Sequence, residues 1–245
     1  VKVVVLPSSE EAGLEAARIV AALVRAKPEA VLGLPAGNTP RPVYAELARL
    51  HRAEGLSFAR VRAFNLDEYV GLGPEHLASF RRALDDGFYR LVDLPAAQAH
   101  APDGRAADTA AAAAGYEAEI AGAGGFDLVL LGIGGNGHVA FNEPGSPFDA
   151  RTRVVTLSEA TRAANRAAFD PAPVPREAVT IGIATILAAR RVVLLATGST
   201  KSAAVAQAIE GPITAQLPAS ALQAHGDATV ILDGAAASRL TRIHR

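Results

Sequence analysis

Short, mostly apolar runs rich in β-branched residues recur along the chain at positions 2–6, 30–34, 61–66, 127–133, 154–157, 192–197 and 228–232. Each is bounded by Gly, Pro or a charged residue, the pattern of a strand buried on both faces. Between them Ala, Leu and Arg recur at helical spacing over 9–26, 41–53, 77–91, 107–121, 158–168 and 200–209. The first of these opens with "SSEEAG", which offers a Ser N-cap and places two acidic residues at the positive end of the helix dipole. Strand and helix alternate along the chain, so the expected fold class is α/β: a Rossmann-like three-layer sandwich with a mostly parallel central sheet flanked by helices. Positions 92–104, with Pro95 and Pro102, read as an irregular connection, and composition does not change across it. One domain over 1–245 is therefore expected. Ligands of such a sheet sit at the carboxyl ends of its strands, so the residues after each run carry the functional information.

Composition narrows the classes. Of 245 residues, 50% are apolar and 20% charged, enough to build a core and too apolar for a disordered chain. With 24 basic and 25 acidic residues the net charge is −1. No long-range positive field exists to hold nucleic acid or an anionic membrane, and any anion must be met by a local site. The absence of cysteine excludes disulfides, thiolate nucleophiles and cysteine metal sites. The apolar run at 3–6 is too short for a signal peptide, and no stretch of about 18 uncharged apolar residues occurs. A cytoplasmic protein with no membrane span is expected. Only three lysines, Lys2, Lys27 and Lys201, stand against 21 arginines.

Four loops could carry chemistry. The most concentrated is "LVLLGIGGNGHVAFNEPGSPF", where a strand runs into Gly132-Ile133-Gly134-Gly135-Asn136-Gly137. The spacing formally matches a dinucleotide fingerprint, but Pro144 and Pro147 cut off the long helix that fold needs after its glycines. The glycines instead let backbone approach a small polar ligand. His138 follows, with a pKa suited to proton transfer near neutrality, and Glu143 is five residues on. The pair reads either as an acid/base couple or as a histidine satisfied by backbone with a surface glutamate. In "RVRAFNLDEYVGL" the strand ends at Asp67, Glu68 and Tyr69; one carboxylate could be a general base, or the group a cap or solvated loop. "LGLPAGNTPRPVY" places Gly37, Asn38 and Thr39 before a helix, a phosphate cradle or an ordinary capped turn. "LLATGSTKSAAV" sets Lys201 at a helix N-terminus, where it opposes the dipole unless an anion is bound.

Taken in order, "LGLPAGNTP", "NLDEYVGL", "GIGGNGHVAFNEPGSPFDARTRVVTLSEATRAAN", "VPREAVTIGIATIL", "GSTKSAAV" and "PASALQAH" resemble the glucosamine-6-phosphate deaminase family over nearly the whole chain. "DEYVG" and "NGHVAFNEP" are its specific strings; the related 6-phosphogluconolactonases share the fold but lack "FNEP". The resemblance implies conversion of D-glucosamine 6-phosphate and water to D-fructose 6-phosphate and ammonia, without a cofactor or metal. It implies Asp67 as the base moving a proton between carbons 2 and 1, His138 as the group assisting ring opening, and Glu143, with Asn136, as setting the histidine's protonation. Gly37, Asn38, Thr39, Arg166 and Lys201 match the phosphate-binding segments, and the Gly132, Gly134 and Gly137 backbone would line the sugar hydroxyls.

The chain departs from the family pattern at four points. Asn136 stands where many members have Asp, removing a charge beside His138. The usual Thr-Gly-Gly-Thr turn is Ala36-Gly37-Asn38-Thr39, and Arg166 directly follows Asn165, with Ala167 at the arginine's usual place. The chain ends shortly after "DGAAASRL", as do short members that resemble monomers and lack allosteric activation; a monomer or small homo-oligomer is expected. The rival readings are a galactosamine-6-phosphate deaminase, a 6-phosphogluconolactonase and a non-catalytic sugar-phosphate sensor. All of these bind a small phosphosugar.

Overall fold

The computed structural model describes residues 1–241; positions 242–245 of the expected domain span lie outside the described residues. The strands are β1 (Lys2–Leu6), β2 (Val31–Leu34), β3 (Arg62–Asn65), β4 (Asp67–Tyr69), β5 (Ala99–His100), β6 (Leu128–Leu131), β7 (Arg153–Thr156), β8 (Glu177–Thr180), β9 (Val192–Ala196) and β10 (Ala228–Asp233). The helices are α1 (Ser9–Ala26), α2 (Arg41–Glu54), α3 (Phe80–Gly87), α4 (Thr109–Gly122), α5 (Glu159–Asn165), α6 (Ile183–Leu187) and α7 (Ser202–Glu210).

Seven strands form one parallel sheet in the order β1-β10-β9-β6-β2-β3-β5. Neighbouring residues within each strand enter opposite cores. Val31, Val129, Leu131, Val192, Leu194, Val230 and Leu232 pack on the face that holds Tyr116 and Ile120 of α4 and Val205 of α7. Leu32, Leu34, Leu128, Leu130, Val193, Leu195 and Ile231 pack against α1, α2 and α3 through Ala16, Val20, Leu47 and Leu84. A strand covered on both sides has no polar face to show, which is why these segments read as continuous apolar runs. Helix α1 starts where Ser8 accepts from the Glu11 amide, and Glu10 and Glu11 occupy its first turn, as expected.

The run at 154–157 does not join this sheet. It forms β7 of a separate three-stranded antiparallel sheet, β4-β8-β7, in which Asp67 pairs with Thr180 and Arg153 with Thr180 from the other side. The expected loop after residue 66 is therefore strand β4. The helix expected over 77–91 is shorter, because Ser79 caps α3 by accepting from the Arg82 amide and a separate 3-10 turn follows at Tyr89–Leu91. The connection at 92–104 contains the two-residue strand β5. Beside the small sheet, Tyr69, Leu72, Phe141, Leu157, Phe169, Val174 and Ala178 form a third apolar cluster. Among the described residues no helix is long and apolar enough to cross a membrane.

Candidate active site

The chain moves outward from β2 to β3 and β5 on one side, and from β6 to β9 and β10 on the other. The order reverses between β2 and β6, the position where open parallel sheets form a ligand crevice at their carboxyl ends. The four loops singled out in the sequence follow β9, β6, β2 and β3, which are consecutive in the sheet. Topology thus lines up segments that are far apart in the chain.

Asp67 begins β4 and is 7% exposed. Among the described residues no group donates a hydrogen bond to its carboxylate. Burial, with the neighbouring charge of Glu68 second, pushes its pKa up to about 8. A carboxylate stripped of water and donors is a strong base once ionised. Glu68 is also buried, but well supplied: it accepts from Ser79 Oγ at 2.6 Å and from the backbone amides of Tyr69, Phe80 and Arg81.

His138 is held by the glycine loop itself. A Cβ on Gly134 would lie 2.1 Å from the ring's Cε1 and 2.2 Å from Nδ1, so only glycine leaves room for the imidazole. Gly137, at φ 83°, takes the left-handed conformation, and a Cβ there would strike Leu217 at 2.4 Å. Asn136 Oδ1 accepts from the His138 amide at 3.2 Å and faces His138 Nδ1 at 2.7 Å. A backbone amide can only donate, so the atom it meets is the carbonyl oxygen, and Nδ1 facing that oxygen carries the ring proton. Nε2 keeps its lone pair. Burial lowers the histidine's pKa below 6.5 and the Lys201 ammonium lowers it further, while Glu143 opposes both; the ring is neutral at pH 7.

Glu143 does not hydrogen-bond the ring in this structure. After Ala140 turns through a left-handed φ of 48°, the chain returns through Asn142, whose Nδ2 donates to Val139 O and Ile181 O. The Glu143 carboxylate then accepts from the Ser158 amide and hydroxyl, both at 2.9 Å, and from Thr161 Oγ1. It acts on His138 through its charge and ties the histidine loop to the start of α5.

Two helix N-termini complete the crevice. Neither α2, after Gly37-Asn38-Thr39, nor α7, after Gly198-Ser199-Thr200-Lys201, has a side-chain cap, but their opening amides are taken: the Arg41 amide donates to Asn38 O, Pro42 has no amide hydrogen, and the Lys201 and Ser202 amides donate to Gly198 O and Ser199 O, so an anion here would be met by the Lys201 ammonium and the preceding turns. Lys201 is half-buried, its pKa lowered by burial, and among the described residues it has no carboxylate partner; Lys27, by contrast, is paired with Asp127. Gly37 and Asn38 are exposed, Thr39 and Gly132 half-buried. Arg166 is exposed, on the 3-10 turn 166–168 that continues α5, and lines a cavity of about 360 Å³ with Glu159, Arg162, Pro171 and Val174 that none of the other proposed phosphate-binding residues lines. Two residues escaped the sequence reading. Asp233, whose carboxylate takes the Gly198 and Ala236 amides, fixes the turn before Lys201; its one signal is an acidic residue closing the apolar run 228–232. Asn142, buried between His138 and Glu143, left no local signal apart from its place in "FNEP".

Among the described residues no group of three or more His, Asp or Glu side chains could hold a metal ion.

The family model described as glucosamine-6-phosphate isomerases/6-phosphogluconolactonase matches residues 8–231. A glucosamine-6-phosphate deaminase of Arthrobacter sp. (strain FB24) is 50% identical over 240 residues, 98% of this chain and 92% of the relative. One of Rhodopirellula baltica is 47% identical over 243 residues, 99% of this chain and 97% of its own. A solved structure described as a monomeric glucosamine-6-phosphate deaminase superposes with a TM-score of 0.95 at 44% identity, covering 97% of this chain and 99% of its own. The 6-phosphogluconolactonase of Trypanosoma cruzi superposes at 0.80 with 25% identity, covering 98% and 97%.

Proposed function

Because the chain belongs to the family of glucosamine-6-phosphate isomerases and 6-phosphogluconolactonases, we propose that it converts D-glucosamine 6-phosphate and water to D-fructose 6-phosphate and ammonia. The observation that carries this reading is the buried, donor-free Asp67 carboxylate, with a pKa of about 8, in the same crevice as a neutral histidine with a free Nε2. Nearly half-identity to deaminases along the full chain supports the substrate class.

The proposed sequence uses proton movements throughout. His138 Nε2 takes the proton of the anomeric hydroxyl and returns it to the ring oxygen, opening the pyranose. Asp67 removes the proton from carbon 2, the electron pair forms the enol between carbons 1 and 2 as the carbon 1 oxygen takes up a proton given up by the ammonium, and Asp67 returns its own proton to carbon 1 as the nitrogen lone pair closes the double bond to carbon 2. The resulting imine at carbon 2 adds water and releases ammonia, leaving the ketose. In free protein Asp67 is largely protonated at pH 7; the substrate's ammonium, a positive charge beside it, favours the ionised form that accepts the proton. Lys201 holds the phosphate, with Gly37, Asn38 and Thr39 shaping the turn that faces it, while the backbone of Gly132, Gly134 and Gly137 lines the sugar hydroxyls. Asn136 fixes the histidine tautomer, and Glu143 adjusts its charge from a distance.

Arg166, at the end of α5, is a further candidate to meet the phosphate. The phosphosugar's charge keeps it inside the compartment where it is made, and we infer a cytoplasmic enzyme acting as a monomer, as the 44% identical structure is described. The test is ammonia and fructose 6-phosphate release from glucosamine 6-phosphate, beside galactosamine 6-phosphate and 6-phosphogluconolactone. Faster turnover of either of the last two, or tight binding with no turnover of any, would replace the reading.

A further inference from the structure

Glu68 is the acidic side chain that these proton transfers leave unused, yet four hydrogen bonds converge on it. Its Oε1 accepts from the Tyr69 amide at 2.9 Å and the Phe80 amide at 3.1 Å; its Oε2 accepts from Ser79 Oγ at 2.6 Å and the Arg81 amide at 3.0 Å. Three of these donors are amides that cannot accept, so both oxygens are filled as acceptors, which suits the ionised carboxylate; burial raises the Glu68 pKa above its ordinary value, and the four hydrogen bonds oppose that rise. The residue is 2% exposed.

Among the described residues no cation neutralises it. Arg81, Asp103 and Arg105 share a cavity of about 220 Å³ with Glu68. The Arg81 guanidinium is turned to Asp85 and the Ala99 carbonyl, Arg105 to Glu75, and Asp103 accepts from the Arg105 amide. The strand opposite contributes Val179. The Tyr69 hydroxyl is pushed far above its ordinary value by burial and then by the charges of Asp67 and Glu68, and stays neutral.

We propose that Glu68 is a positioning residue for the proton transfers at Asp67: it pins the start of α3 to β4 and holds a fixed negative charge beside the carboxylate that acts as base. The proposal rests on the reading of Asp67 given above. After burial, this charge is the second cause holding the Asp67 proton. A carbon acid is weak, so a base that binds protons more strongly takes its proton more readily. Glu68 supplies that strength without touching substrate.

Glu68→Gln removes the charge, keeps the Tyr69 and Phe80 contacts through its oxygen, and loses the Arg81 amide. Its kcat/KM profile should have an acid limb lower by about one pH unit, roughly a tenfold gain at pH 6 relative to its own plateau, and a plateau below that of the wild type. Ser79→Ala removes one donor and leaves the charge; it should lower Tm and leave the limb in place. A Glu68→Gln limb that coincides with the wild type, or an equal downward shift in Ser79→Ala, overturns the proposal. In unmutated protein with 13C-labelled carboxyl groups, the Glu68 signal should inflect as Asp67 titrates and lose that inflection in Asp67→Asn. A Glu68 signal that ignores Asp67 overturns the proposal without any activity measurement. Absence of ammonia release by the wild type would instead overturn the reading of Asp67.

Discussion

Replacing Asp67 by asparagine separates what this residue does from what it costs. The native state holds its proton up to about pH 8, whereas an ordinary aspartate releases it near 3.8. Between these values the folded protein binds more protons than the unfolded chain, so stability is full below pH 4 and falls as pH rises toward 8, by about 1.4 kcal/mol per unit. Integrated, the loss is about 2 kcal/mol at pH 5 and about 5 kcal/mol at pH 7.5. Asparagine has no charge to desolvate and escapes this loss. The variant should therefore outlast the wild type in denaturant melts by a margin that widens by about 3 kcal/mol from pH 5 to pH 7.5 and flattens above pH 8. In heat the gap in Tm should widen by about 6–12 °C over the same range. Ammonia release should vanish at every pH. A margin that does not change with pH would refute the buried-charge account, and turnover above about 1% of wild type would refute the role of base.

Gly134→Ala puts a methyl group where the His138 ring lies, so kcat/KM should fall by about 100-fold or more while the protein still melts cooperatively; near-normal turnover would mean that the ring's place is unimportant. Asn136→Asp sets a negative charge against Nδ1, and the histidine's proton resonances should titrate about one pH unit higher than in the wild type, a lower midpoint contradicting the assignment. Lys201→Ala should raise KM by about 10- to 100-fold with kcat little changed, the value of a charge-assisted hydrogen bond to phosphate; an unmoved KM in steady-state assays would remove Lys201 from the phosphate. Tyr69→Phe deletes a buried hydroxyl that has no hydrogen-bond partner among the described residues and should raise stability by about 1 kcal/mol in urea melts, whereas a loss would reveal a partner for it.

Local pattern was sufficient for much of this molecule. The apolar runs located six of the seven strands of the parallel sheet to within a residue or two, all but the two-residue β5, because a strand covered on both faces must be apolar throughout, and the Ser8 cap and acidic first turn fixed the start of α1. The same local reading found the loops that carry Asp67, His138, Glu143 and Lys201, since loops at the carboxyl ends of parallel strands are where a ligand meets free backbone. The sequence by itself thus determined the alternation of elements and the parallel sheet, and it singled out the side chains proposed to carry the chemistry. Their states were settled by contacts between distant segments. Asp67 lies in a strand because Thr180 pairs with it across more than a hundred residues, and periodicity carries no information about so remote a partner. Glu143 is tied to Ser158 and Thr161 instead of the imidazole, and Arg166 faces a cavity beside α5. Spacing along the chain could not distinguish these placements from their alternatives. The proton affinities of Asp67 and His138 follow from burial and neighbouring charge, quantities that exist only once the two sheets have packed.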